Sequence, residues 1–332
     1  MKKVGMLGSG AWGTAMASLL ADNGHTVYLW CYEKDVTKCI SEKHINDRYL
    51  PEIPLSPLIM PTTNIEDVFA QAEIIFEAIP VPHMRRVFEQ AKPYVRADHR
   101  FVVLSKGLEQ ETLKLPSQII MDVLGCTVHI AGVAGPSFAH DVALKYVTGL
   151  SVASSEPKFI QDLQALIQND YCRTYSCDDL IGVQCGGAFK NVLALGLGIL
   201  DGANCADNTK AFVFTRGLAE MALCAQALGG KKETLYGLSG VGDLVLTSMG
   251  HLSRNAYLGQ CLGQGKSVEL ATKELGTIPE GINTVQSVYQ LAKKHNLDLP
   301  VFSGIREMVE CSMTIKDFLN SLITHHFKAD CI

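Results

Sequence analysis

From Leu180 to Leu200 the chain is apolar in every helical direction, with Gln184, Lys190 and Asn191 as the only polar side chains. A helix of that character is normally buried in a core. At 3.6 residues per turn Gly186, Gly187, Lys190, Leu193, Ala194 and Leu197 share one face, which sets the lysine beside two residues without side chains. Gly182, Gly186, Gly187, Gly196 and Gly198 each cost a helix about 1 kcal/mol relative to alanine. Close approach of another backbone, or of a cofactor, would offset that cost. A lysine among apolar groups is either destabilised as an ammonium, which suits a general base, or snorkels to water at a helix crossing. This stretch alone supports both readings.

The pattern elsewhere divides in two. Lys3 to Leu7 is a short β-type run leading into Gly8-Ser9-Gly10-Ala11-Trp12-Gly13, then into helical spacing from Thr14 to Asn23 and a second strand, Thr26 to Trp30. Ser41 to Pro61, with Pro51, Pro54, Pro57 and Pro61, reads as an excursion. Strand-like runs follow at Glu73–Ile79, Arg100–Leu104, Val128–Val133, Val147–Ala153 and Cys172–Tyr175, with helical spacing at His83–Ala91 and Glu156–Gln168. From Asp179 onward only helical spacing remains. The expected architecture is α/β: an N-terminal Rossmann-like doubly wound sheet over residues 1–178, then an all-α C-terminal domain over 179–332.

Composition narrows the function classes. A chain of 332 residues with 47% hydrophobic content holds two domains of ordinary size, and its net charge of −5 argues against nucleic acid as the main partner. Val192 to Leu200, the longest apolar run near Lys190, is well short of the ~20 residues that span a bilayer, and no signal-peptide pattern opens the sequence. The 11 cysteines are scattered without C-x-x-C spacing, which favours reduced thiols in a cytoplasm and offers no metal site.

Candidate chemistry gathers at strand ends and in the helical half. In strand, glycine loop, helix context, Gly8 makes a tight turn, Gly10 admits a pyrophosphate and Gly13 lets helix pack on strand. NAD or NADP is the implied cofactor. Tyr32-Glu33-Lys34 closes the second strand; a carboxylate there binds the 2′-hydroxyl of NAD and repels a 2′-phosphate, and the adjacent lysine pulls the other way. His83 starts a helix, where a capping or surface role is the common one. Lys106, in Ser105-Lys106-Gly107, suits an anionic or carbonyl substrate or an exposed turn. Gly135 and Ser137 form a similar loop, with Ser137 a helix cap or a ligand contact. In the helical half, Asp243 sits in a glycine-flanked apolar run and requires a partner; Lys190 is the obvious one. Ser253-Arg254-Asn255 suits a phosphate, or a capped and solvated first turn. Gly263-Gln264-Gly265-Lys266-Ser267 imitates a P-loop but lacks its first glycine and a preceding strand.

Taken together the motifs resemble the bacterial type of NAD(P)-dependent glycerol-3-phosphate dehydrogenase. The resemblance runs through G-S-G-A-W-G-T-A at 8–15, S-K-G-L-E at 105–109, A-G-P-S-F-A at 134–139 and G-G-A-F-K-N at 186–191. It continues through T-R-G-L-A-E at 215–220, G-V-G-D-L-V-L-T at 240–247, S-R-N at 253–255 and G-T-I-P-E-G at 276–281. It implies reversible reduction of dihydroxyacetone phosphate to sn-glycerol 3-phosphate for glycerophospholipid synthesis, by a cytoplasmic homodimer. It also implies Lys190 as general acid/base, with Lys106 near substrate and nicotinamide. Gly135, Ser137, Asp243, Ser253, Arg254 and Asn255 are implied at the substrate. Ala11, Trp12, Tyr32, Lys106, Ala139, Arg254, Ile278 and Glu280, with Gly8, Ser9, Gly10 and Gly13, are implied at the dinucleotide. Tyr32-Glu33, Pro82 and His140-Asp141 depart from the usual bacterial pattern.

Overall fold

The computed structural model describes residues 1–125 and 128–325. Its strands are β1 (Lys3–Leu7), β2 (Thr26–Trp30), β3 (Ile59–Thr62), β4 (Ile74–Glu77), β5 (Arg100–Val103), β6 (His129–Ala134), β7 (Thr148–Ser154) and β8 (Cys172–Cys177). They form one eight-stranded sheet in the order β3-β2-β1-β4-β5-β6-β7-β8, parallel throughout except where β7 meets β6. The order reverses between β2 and β4 around β1, and ligands of open α/β sheets bind outside the carboxyl ends of strands at such a switch point.

The helices of this part are α1 (Ala11–Asp22), α2 (Lys34–Lys43), α3 (Ile65–Gln71), α4 (Val81–Ala91), α5 (Pro116–Leu124), α6 (Ala139–Ala143) and α7 (Pro157–Ile167). Central strands buried on both faces read as near-continuous apolar runs, and β4 is Ile-Ile-Phe-Glu with all four residues buried. Alternation sends Val4, Met6, Ile74, Phe76 and Val102 into the core beneath α1 and α7. Leu7, Ile75, Phe101 and Val103 enter the opposite core with α3, α4 and α5. The proline-rich excursion contains β3, an element its composition concealed; Pro61 is tolerated there because β3 is an edge strand. β4 ends at Glu77, two residues before the apolar run does.

Contacts group the chain into two compact units, Met1–Lys106 with Lys114–Leu180, and Gly107–Leu113 with Ile181–Ile332. The second contains α8 (Leu180–Gly202), α9 (Asp207–Ala227), α10 (Asp243–Met249), α11 (Arg254–Gly263), α12 (Val268–Leu275), α13 (Glu280–His295), α14 (Pro300–Val309) and α15 (Ile315–Thr324). A π turn, Leu238–Gly242, leads into α10. By length and composition α8 passes as a membrane span, yet every residue from Gly182 to Leu200 is buried inside the protein, as in a core helix.

Two of the glycines of α8 are explained by neighbouring backbone, and Gly196 by the side chain of Ile305. A Cβ at Gly186 would stand 2.2 Å from the Ser239 carbonyl oxygen, and one at Gly198 would stand 2.3 Å from that of Ala256. Helices α8 and α11 therefore touch backbone to backbone, and the helix-propensity cost is offset by packing.

Candidate active site

In the sheet unit the site begins at the glycine loop. Gly8 has φ +107°, and a Cβ there would meet the Ala78 carbonyl at 2.7 Å. At Gly13 a Cβ would stand 2.1 Å from the Gly8 carbonyl. At Gly10 it would meet nothing within 4 Å. Gly13 thus closes the turn against its own backbone and Gly8 packs it on the chain just after β4, while the middle glycine leaves open space at the N-terminus of the 12-residue α1, where amides and the helix dipole favour phosphate. The indole Nε1 of Trp12 is buried with no acceptor among the described residues. A buried donor without a partner is costly, and an acceptor brought by a dinucleotide would satisfy it. The loop fits NAD or NADP.

Asn46, fully buried, locks this loop. Its Nδ2 donates to the Ser9 carbonyl at 2.8 Å and to Thr14 Oγ1 at 2.8 Å, and its Oδ1 accepts from the Tyr49 N–H at 3.2 Å. Thr14 Oγ1 also donates to the Ser9 carbonyl at 3.0 Å. At the end of β2, Tyr32 is 69% exposed, while the Tyr49 hydroxyl donates to Glu33 Oε1 at 2.6 Å. That bond holds the acidic side chain in place.

The carboxyl ends of β5 and β6 carry the next two loops along the same edge as β1 and β2. Lys106 is half-buried and directly follows Ser105. Gly135 cannot carry a side chain, because a Cβ would lie 2.7 Å from the Gly149 carbonyl. Ser137 does not cap α6: Phe138 is the N-cap residue, and Ser137 Oγ instead donates to the Gly135 carbonyl at 3.0 Å. Ala139 opens α6. His83 is exposed on α4 and His140 and Asp141 lie on α6.

In the helical unit the lysine of α8 has the partner its surroundings demand. Lys190 Nζ donates to Asp243 Oδ1 at 2.5 Å and to Thr247 Oγ1 at 2.7 Å, with the lysine and aspartate side chains 7% and 1% exposed. Thr247 Oγ1 donates in turn to the Asp243 carbonyl one turn earlier, at 2.7 Å. The ammonium is buried, charge-paired and oriented, so it does not snorkel. Its neighbour Asn191 donates to Glu280 Oε2 at 3.0 Å, and the Gly281 N–H donates to Asn255 Oδ1 at 2.9 Å. These bonds tie α8, α11 and α13 together beside Lys190.

Ser253 caps α11, its Oγ accepting from the Ala256 N–H at 3.2 Å, and Arg254 stands exposed in the first turn. Ile278 is exposed just before α13, which Glu280 opens. The P-loop imitation is the end of α11 and the turn after it, where Lys266 pairs with Glu274 at 2.7 Å. The described residues contain no cluster of His, Cys, Asp and Glu able to hold a metal ion, and their cysteines are free thiols; Cys126 and Cys331 lie outside them.

Sequence reasoning missed Asn46, Tyr49, Glu77 and Thr247. Thr247 had a usable signal, since it lies four residues after Asp243 and hence on the same helical face. Glu77 had one too, as a lone carboxylate in an apolar strand. Asn46 and Tyr49 had none, because loop contacts follow no period.

Two family models match, the NAD-dependent glycerol-3-phosphate dehydrogenase N-terminus over residues 3–160 and its C-terminus over 179–320. A glycerol-3-phosphate dehydrogenase [NAD(P)+] of Bacillus subtilis is 38% identical over 97% of this chain and 94% of its own. One from Staphylococcus haemolyticus is 36% identical over 99% of this chain and 100% of its own. A crystal structure of the glycerol-3-phosphate dehydrogenase from Coxiella burnetii superposes with a TM-score of 0.92 at 33% identity, covering 98% of this chain and 99% of that one. With a dinucleotide loop in one unit and a buried lysine–aspartate pair in the other, the chain belongs to the NAD(P)-dependent glycerol-3-phosphate dehydrogenase family of oxidoreductases.

Proposed function

We propose that this enzyme reversibly reduces dihydroxyacetone phosphate to sn-glycerol 3-phosphate, with Lys190 as the general acid/base, and that the product supplies glycerophospholipid synthesis. The observation that carries this reading is the Lys190–Asp243–Thr247 arrangement, a buried ammonium with a fixed counter-charge. NAD(P)H supplies the hydride that arrives at C2. Lys190 gives its proton to the C2 oxygen during reduction, and as the neutral amine takes it back during oxidation. Asp243 stabilises the charged form and Thr247 fixes the direction of Nζ. Acid–base help of this kind contributes about 10²- to 10⁴-fold.

Arg254, exposed at the capped start of α11, anchors the substrate phosphate together with Ser253 and Asn255; a helix N-terminus and a guanidinium fork favour the same dianion. Phosphate binding remote from C2 then aligns the reacting carbon. Gly135, Ser137 and Lys106 complete the substrate contacts in this reading. Ala11, Trp12, Tyr32, Ala139, Ile278 and Glu280 serve the dinucleotide. Free thiols on the described cysteines support a cytoplasmic setting, and family membership supports a homodimer, which light scattering on a sizing column checks.

One assay tests the reaction: NADH and NADPH absorbance followed with dihydroxyacetone phosphate and with 3-oxo acids. Turnover of the phosphate substrate alone is expected. Turnover of 3-oxo acids instead would replace it with a β-hydroxyacid dehydrogenase, and no turnover would leave a dinucleotide sensor. Lys190→Ala should keep dinucleotide binding and lose most of kcat, and near-normal turnover would remove Lys190 from the chemistry. Arg254→Ala should chiefly raise KM for dihydroxyacetone phosphate.

A further inference from the structure

Glu77 closes β4 inside an apolar face. In register it lies between Leu7 of β1 and Val103 of β5, both members of the core under α3, α4 and α5, and it is 0% exposed. Its Oε1 accepts from the N–H groups of Leu104 at 3.3 Å and Ser105 at 3.2 Å, and its Oε2 from the Ile79 N–H at 3.2 Å. The side chain therefore bridges the carboxyl ends of two neighbouring strands, immediately before Lys106.

The Ser105 hydroxyl shows where a proton must be. Its Oγ stands 2.7 Å from Glu77 Oε2 and 2.6 Å from the Ile79 carbonyl oxygen. A hydroxyl carries one proton and can donate to one of the two. With an ionised carboxylate, the other contact would join two oxygens at hydrogen-bond distance with no hydrogen between them. A proton on Oε2 resolves the conflict: Glu77 donates to Ser105 Oγ, and Ser105 donates to the Ile79 carbonyl.

We propose that Glu77 is held as the neutral acid, and that the chain from Glu77 through Ser105 to the Ile79 carbonyl is a positioning device for the loop bearing Lys106. The proposal rests on the reading of Lys106 as a contact for substrate and nicotinamide. Burial acts in the required direction, pushing the Glu77 carboxyl up to about 7 against the opposing donors of Ser105, Ile79 and Leu104. On the helices covering this face the charged groups point outward: Glu66 and Asp67 on α3, His83, Arg86 and Glu89 on α4. Arg85 of α4 pairs with Asp122 of α5 at 2.8 Å. Lys106, next along the loop, is the cation nearest in sequence. As pH rises through about 7 the acid ionises, the chain loses its proton, and the Ser105 hydroxyl, with one proton left for two acceptors, gives up one of its two contacts.

The test combines kinetics with infrared spectroscopy on the full-length enzyme and the variants Glu77→Gln, Glu77→Val and Lys106→Ala. In the wild type KM should rise about fivefold from about pH 6 to about pH 9, the worth of one neutral hydrogen bond, with kcat less affected. Glu77→Gln places an amide donor toward Ser105, at the cost of the Ile79 contact. It should keep the acid-side KM and flatten the profile. Glu77→Val has no donor, and its KM should be high at every pH. A wild-type-minus-Glu77→Gln infrared difference should show a protonated carboxyl C=O band at acid pH that fades on the alkaline side. Absence of that band at pH 6 would overturn the neutral acid, and wild-type profiles in both Glu77 variants would overturn the positioning role. Normal kinetics in Lys106→Ala with the band intact would instead refute the reading of Lys106, and with it the purpose assigned to the loop.

Discussion

Replacing Asp243 by asparagine removes the charge opposite Lys190 and little else, since the amide keeps an oxygen where Oδ1 stands. At 2.5 Å and an effective dielectric constant of ~20 the gross attraction is about 7 kcal/mol. Much of that repays the desolvation of two ions that are 7% and 1% exposed. The measurable quantity is the cost of stranding one charge, about 3–5 kcal/mol. For a helical unit of this size that lowers the thermal midpoint by roughly 10 °C, read by differential scanning calorimetry. The deficit should shrink as pH is raised: a stranded ammonium favours losing its proton, so the folded variant binds fewer protons than its unfolded chain. Turnover should fall about 100-fold, because the acid/base loses its fixed orientation and counter-charge. The double variant Lys190→Met with Asp243→Leu separates stability from chemistry: it should recover most of the midpoint and none of the activity. A midpoint within about 2 °C of wild type for Asp243→Asn, with unchanged turnover, would show that the pair does not form in solution.

Gly186→Ala would place a methyl 2.2 Å from the Ser239 carbonyl, so despite alanine's better helix propensity it should cost about 3 kcal/mol by calorimetry; a stabilised variant would refute the contact. Glu33, anchored by Tyr49, should make NADH the better reductant, and Glu33→Gln should narrow the NADH-to-NADPH ratio of kcat/KM about tenfold, the worth of a ~1.5 kcal/mol charged hydrogen bond. Glu220 accepts from the Val301 and Phe302 N–H groups at the start of α14, and burial pushes it up to about 8. Its folded value lies above the unfolded ~4.3, so its contribution is complete below that value and is lost as pH rises through about 8. The thermal midpoint should therefore decline from pH 6 to about pH 9, and less steeply in Glu220→Gln.

The parts of this protein legible in its sequence are those in which one residue's neighbours are fixed by period. A buried helix declares itself by being apolar all round, and at 3.6 residues per turn Lys190 had to lie beside Gly186. Asp243, isolated in an apolar run, required a partner, and Lys190 meets it. The glycine loop was legible because strand, turn and helix each leave a local mark. What period does not control stayed hidden. Asn46 reaches the Ser9 carbonyl across 37 residues of chain and Glu220 reaches α14 across 81, and no spacing rule connects such pairs. β3 was concealed by the proline that its edge position tolerates. Glu77 shows the limit most clearly. The sequence placed a carboxylate in an apolar strand, a conflict that says only that a partner exists. That the partner is a serine hydroxyl facing two acceptors, and therefore that the acid carries a proton, follows from distances alone.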